Sequence, residues 1–171
     1  MHEHFDKTRM MAKSHVVVGI AAWVVAASLL HRAPLDPIDL GLVIAGSLLP
    51  DIDHPQSWVG RRTRPVSTVI ARSLGHRGIT HSAIAVGGLV AALLWAGQRR
   101  DAVTALAIGY LSHLAADMLT PRGLRLAWPL RRSWGFPLCR TGSPAEALIV
   151  FGLVCGLAWW VVSHHILRIG S

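Results

Sequence analysis

Histidine and aspartate recur in this chain at spacings that suit divalent metal ions. His113 and Asp117 stand four residues apart in GYLSHLAADM. On a helix that spacing places both on one face, about 6 Å apart along the axis. Asp51, Asp53 and His54 crowd into LLPDIDHP, where an apolar run stops at Pro50. An extended backbone there points Asp51 and Asp53 to one side and His54 to the other, and Pro55 biases His54 toward that conformation. GHRGITHS sets His76 and His81 on either side of a bend that Gly75 and Gly78 permit, with Thr80 as a cap for the helix that follows. His15, after Lys13 and Ser14, opens another apolar run. Imidazole and carboxylate are the donors that divalent transition metals take. Each motif alone also has a plain reading, as a capping acid or a histidine bonded to a carbonyl.

What must position these residues is a set of apolar helices. Of 171 residues, 52% are hydrophobic and 15% charged, against about 25% charged in an ordinary soluble domain. Five apolar stretches, near residues 15–30, 38–49, 80–97, 102–119 and 144–167, account for the excess. Residues 1–12 read as a polar tail, and 13–171 as a single integral membrane domain. The expected fold is all-α: a polytopic bundle of about five transmembrane or re-entrant helices. A short amphipathic interfacial helix is expected in PVSTVIARSL. With the N-terminus in the cytoplasm, all of the 17 basic residues except Arg32, Arg99, Arg100 and Arg168 fall inside, as the positive-inside rule requires. The net charge of +8 then reports topology and attraction to anionic lipid, and nucleic acid is not expected as a partner. Cys139 and Cys155 fall in different environments, which disfavours a disulfide.

This topology gathers the ionisable residues at one end. His15, Asp51, Asp53, His54, His76, His81, His113, Asp117 and Glu146 all face the cytoplasmic leaflet. Ionisable groups in hydrocarbon cost about 2.5–3.5 kcal/mol each at a helix centre, so they face the bundle interior and pair. The set exceeds the four ligands of a structural zinc site, and two or three ions, zinc or alternatively manganese, use it without remainder. Paired ions activate water and stabilise an oxyanion in phosphate ester hydrolysis. Asp53 or Glu146, left off the metals, would serve as general base. Arg62, Arg77 and Arg131 are placed to hold phosphate oxygens, Arg77 closest to the reacting group. The non-catalytic alternatives are a metal-stabilised membrane protein and a lipid-headgroup receptor.

Four motifs, LLPDIDHPQSWVGRR, GHRGITHS, GYLSHLAADMLTPRG and LAWPLRR, resemble in order those of the YdjM-like inner-membrane proteins, described as LexA-regulated, membrane-bound, predicted metal-dependent hydrolases. The resemblance implies metal binding by His15, Asp51, Asp53, His54, His76, His81, His113 and Asp117. HLAAD is also similar, over a shorter pattern, to zinc-dependent phospholipase C proteins, which implies phosphodiester chemistry at a membrane surface. Together these imply a multi-pass inner-membrane hydrolase acting on an anionic, phosphate-containing lipid.

Overall fold

A computed structural model describes the backbone of residues 2–74, 79–121, 123–124, 126–128, 133–136, 138 and 143–169, with the side chains of these except 2–11, 73–74 and 164–169. Among the described residues seven α-helices follow one another: α1 (His2–Leu29), α2 (Pro37–Leu48), α3 (Trp58–Arg62), α4 (Arg64–Leu74), α5 (Ala83–Trp95), α6 (Arg100–Met118) and α7 (Pro144–Ile169). Two 3-10 turns, Leu49–Asp53 and Ile79–His81, lie just before α3 and α5. Among the described residues β structure is limited to one bridge, Leu124 to Trp134.

Local chemistry sets the helix ends. Asp36 accepts the amides of Ile38 and Asp39 ahead of Pro37, which fixes the start of α2. Ser82, rather than Thr80, caps α5 by accepting the Ala85 amide. Gly97, at φ 74°, ends it. α1 closes over His31 at φ 55°, with the Arg32 amide reaching back to Ala27 O. Ser143 caps α7 and Pro144 occupies its first position.

These caps overturn the expected count of about five transmembrane or re-entrant helices. Among the described residues, two helices are long and apolar enough to cross a membrane, through residues 12–29 of α1 and 144–163 of α7. The 12 residues of α2 and the 13 of α5 reach only about 18–20 Å, short of a hydrocarbon core of about 30 Å. α6 has the length but carries Arg100, Asp101, His113 and Asp117. Apolar runs in the sequence had hidden where the caps cut them. The polar segment before Lys13 also continues α1 rather than preceding it.

α6 is the central element, packed against α1, α2 and α5. One core cluster joins Trp23, Ala27, Val43 and Ala105, and a second joins Val86, Tyr110, Leu114 and Leu124. α2 and α6 cross with their backbones almost touching. A Cβ on Gly46 would overlap Leu106 O, and one on Gly109 would overlap Val43 O and lie 3.0 Å from Ser47 N. Small residues at a crossing permit such an approach. At the end away from the metal-type residues, Arg32 donates to both carboxylate oxygens of Asp39, at 3.0 and 2.7 Å, and to Asp101 O at 3.1 Å. α1, α2 and α6 are tied there by one guanidinium.

Candidate metal centre

The close crossing of α2 and α6 has a direct chemical result. It brings Ser47 O to 2.6 Å from His113 Nδ1. A carbonyl only accepts, so Nδ1 carries the proton and Nε2 presents its lone pair. That Nε2 is buried and has no hydrogen-bond partner. It stands 3.8 Å from Asp51 Oδ1 and 3.8 Å from Asp117 Oδ2.

Asp117 is the hub. Its Oδ1 lies 3.6 Å from His15 Nε2, and its Oδ2 lies 3.6 Å from His81 Nε2. The His15 ring stacks on His113 at 3.9 Å between centroids, and His81 meets His113 edge-on at 5.4 Å. Among the described residues two overlapping groups result: His15 with His113 and Asp117, and Asp51 with His81 and His113, the donor atoms of each within 4.8 Å of one another. Tetrahedral donors at zinc bond lengths stand about 3.4 Å apart. The separations of 3.6–3.8 Å need little closing, so the residues fit a divalent ion. His113 belongs to both groups, yet one Nε2 lone pair serves one ion.

Asp53 plays a different part from Asp51. The turn carrying both is a 3-10 helix, so the condition of an extended backbone, under which the two acids share a side, is not met. At about 120° per residue, positions two apart diverge by about 240°. Asp51 thus faces His113, whereas Asp53 Oδ2 lies 3.3 Å from His81 Nδ1 and accepts a short hydrogen bond from Thr80 Oγ1. Thr80 Oγ1 is also 3.0 Å from His81 Nδ1, and Tyr110 donates its hydroxyl to Thr80 O. A carboxylate on the rear nitrogen of a ligating histidine fixes its tautomer and raises its basicity. Thr80, Tyr110 and the Ser47 carbonyl thus support the histidine rings, contacts that the sequence does not announce.

The remaining expected residues lie elsewhere. His54 ends the 3-10 turn, its amide bonded to Asp51 O, and joins neither donor group. Glu146 is the third residue of α7, where its amide bonds Ser143 Oγ. An acid there also complements the helix dipole. Arg62 holds its guanidinium 3.8 Å over the Trp58 ring and donates to Trp58 O. His76, Arg77 and Arg131 lie outside the described residues. Access to the donors is one-sided: the side chains of His113 and His81 are 0% and 1% exposed, and that of Asp51 is 19% exposed.

A family model described as "YdjM inner membrane protein" matches residues 10–169. The chain is 37% identical over 165 residues to "Inner membrane protein YdjM" of Escherichia coli (strain K12), covering 88% of this chain and 82% of that protein. The Shigella flexneri protein of the same name gives the same values. "Uncharacterized protein YvsG" of Bacillus subtilis (strain 168) is 32% identical over 153 residues, covering 88% of this chain and 94% of that one. No solved structure matches.

Proposed function

The chain belongs to the YdjM inner-membrane family, and on that premise we propose that it is a membrane-bound, metal-dependent hydrolase of phosphoesters, lipid phosphoesters of the cytoplasmic leaflet above all. The observation that carries this reading is His113 Nε2, buried, oriented by Ser47 and facing two carboxylates with no hydrogen-bond partner of its own. A buried polar nitrogen left in that state costs about 1–3 kcal/mol unless a ligand takes it. Zinc suits a set of three imidazoles and two carboxylates best, with manganese the alternative. The five described donors serve one ion fully, and a second would call on further residues such as His76.

When bound, the ion supplies Lewis acidity toward a phosphoryl oxygen and lowers the pKa of water. The chain's own residues supply placement. Asp117 and His113 hold the inner side, His15 and Asp51 the open side. Asp53 and Thr80 hold the His81 ring, which supports a positioning role for Asp53 in place of a general base. Arg77, four residues before His81 in sequence, and Arg131 are proposed to bind phosphate oxygens. Lys7 and Arg9 precede the hydrophobic part of α1 and Lys13 lies at its start, which supports placing the His15 end on the cytoplasmic side.

The burial of His81 and His113 also suits a non-catalytic, metal-stabilised protein, the second reading. Elemental analysis of detergent-purified protein, followed by a panel of phosphodiesters and phospholipids with zinc or manganese, separates the two. The hydrolase reading expects bound transition metal, turnover on at least one ester, and loss of both in His113→Ala and Asp117→Ala. Metal without turnover across the panel supports the structural role. Absence of metal removes both readings.

A further inference from the structure

The segment from Trp58 to Leu74 faces the wrong way for helices bathed in water. Among the described side chains of α4 the fully buried one is Ser67, whereas Val66 and Val69 are 53% and 64% exposed. With Pro65 they occupy the outward arc of the helix. Arg64 and Arg72 are exposed beside that arc, and among the described residues no carboxylate pairs with them. On α3, Trp58 is partly exposed beneath the Arg62 guanidinium. From His54 to Leu74 the sequence has Arg61, Arg62, Arg64 and Arg72 and no Asp or Glu.

Apolar side chains turned away from the protein and bordered by arginines match the boundary between acyl chains and anionic headgroups. A protein partner would also cover apolar surface, but the unopposed positive charge and the position of the segment favour lipid. α3 packs against α1, which carries one of the two membrane-length apolar segments. We propose that α3 and α4 form a platform seated on the anionic headgroup layer of the membrane that holds α1. Both helices pack on the Leu49–Asp53 turn, and Ser57 Oγ donates to Asp51 O at 2.8 Å. Seating the platform fixes the height of Asp51, the most exposed carboxylate of the metal-type cluster, above the lipid surface.

The test places an environment-sensitive NBD dye on Val69→Cys in protein lacking Cys139 and Cys155 (Cys139→Ser, Cys155→Ser). One chain is placed per nanodisc of phosphatidylcholine, with or without about a third phosphatidylglycerol. The expected result is a blue-shifted probe whose quenching by acrylamide falls about twofold when the anionic lipid is present. Combining Arg62→Gln, Arg64→Gln and Arg72→Gln should remove that dependence while bound metal is retained. Equal quenching in both disc types with the arginines intact overturns the proposal, whatever the triple variant does. So does lipid dependence that survives in the triple variant. The probe reads seating and not turnover, so the outcome is independent of the hydrolase reading.

Discussion

Replacing Gly109 by Ala tests the link between helix packing and metal binding. The new Cβ would overlap Val43 O, lie 2.9 Å from Val43 C and 3.0 Å from Ser47 N, where ordinary contact begins at 3.4 Å. These are backbone atoms of α2 and cannot swing aside, so α2 must retreat from α6 by about 1 Å. The Ser47 O to His113 Nδ1 contact, 2.6 Å in the native protein, then opens to about 3.6 Å, beyond a hydrogen bond. Overpacking costs about 1–3 kcal/mol, and the buried imidazole donor left without its acceptor costs about 1–3 kcal/mol more. Loss of a group that orients a metal ligand lowers affinity about 10- to 100-fold. Zinc affinity measured against a chromophoric chelator in detergent should fall within that range, and the melting midpoint by about 10 °C. Gly152→Ala, on a helix face with nothing within 4 Å of the added carbon, is the control and should leave zinc affinity unchanged without lowering the melting midpoint. A Gly109→Ala protein with native zinc affinity and melting behaviour would refute the claim that the α2–α6 crossing sets the His113 ring.

Three substitutions separate roles at the two ends of the molecule. Asp53→Asn keeps the shape but removes the charge behind His81, so zinc affinity should fall about 10-fold, whereas Asp117→Ala should abolish binding. Equal loss in both would make Asp53 a direct ligand. Arg32→Gln strands the Asp39 carboxylate, 9% exposed in its side chain. The expected cost is about 3 kcal/mol, the low end for breaking a buried pair, because Arg32 itself is 22% exposed. Chemical denaturation in detergent measures it; a native midpoint would show that Asp39 finds another partner.

The chemistry of the site was more legible in the sequence than its framework. His113 and Asp117 are read from helical spacing, and His15, Asp51 and His81 from the end of the bundle they share; the structure brings these five together. Their supporting groups were not legible, because Ser47 O is a backbone atom that matters only where two helices cross at glycines. Thr80 looked like a cap, and its bond to Asp53 spans 27 residues. The divergence of Asp51 from Asp53 depends on a 3-10 turn that no local pattern announces. Counting apolar runs overstated the spans because hydropathy does not register where Ser82 starts a helix and where Pro50 and Gly97 follow the end of one. Asp39 was a missed signal: a carboxylate inside an apolar run demands a partner, and Arg32 stood seven residues away.

The guanidinium of Arg32 bears on how the protein comes to be loaded. It fastens α1, α2 and α6 at the end remote from His15, His113 and Asp117, using only groups the chain itself carries. That contact needs no ion, so the register of α1, α2 and α6 at this end is expected to survive metal removal, leaving the donors at the other end spaced to take up an ion again.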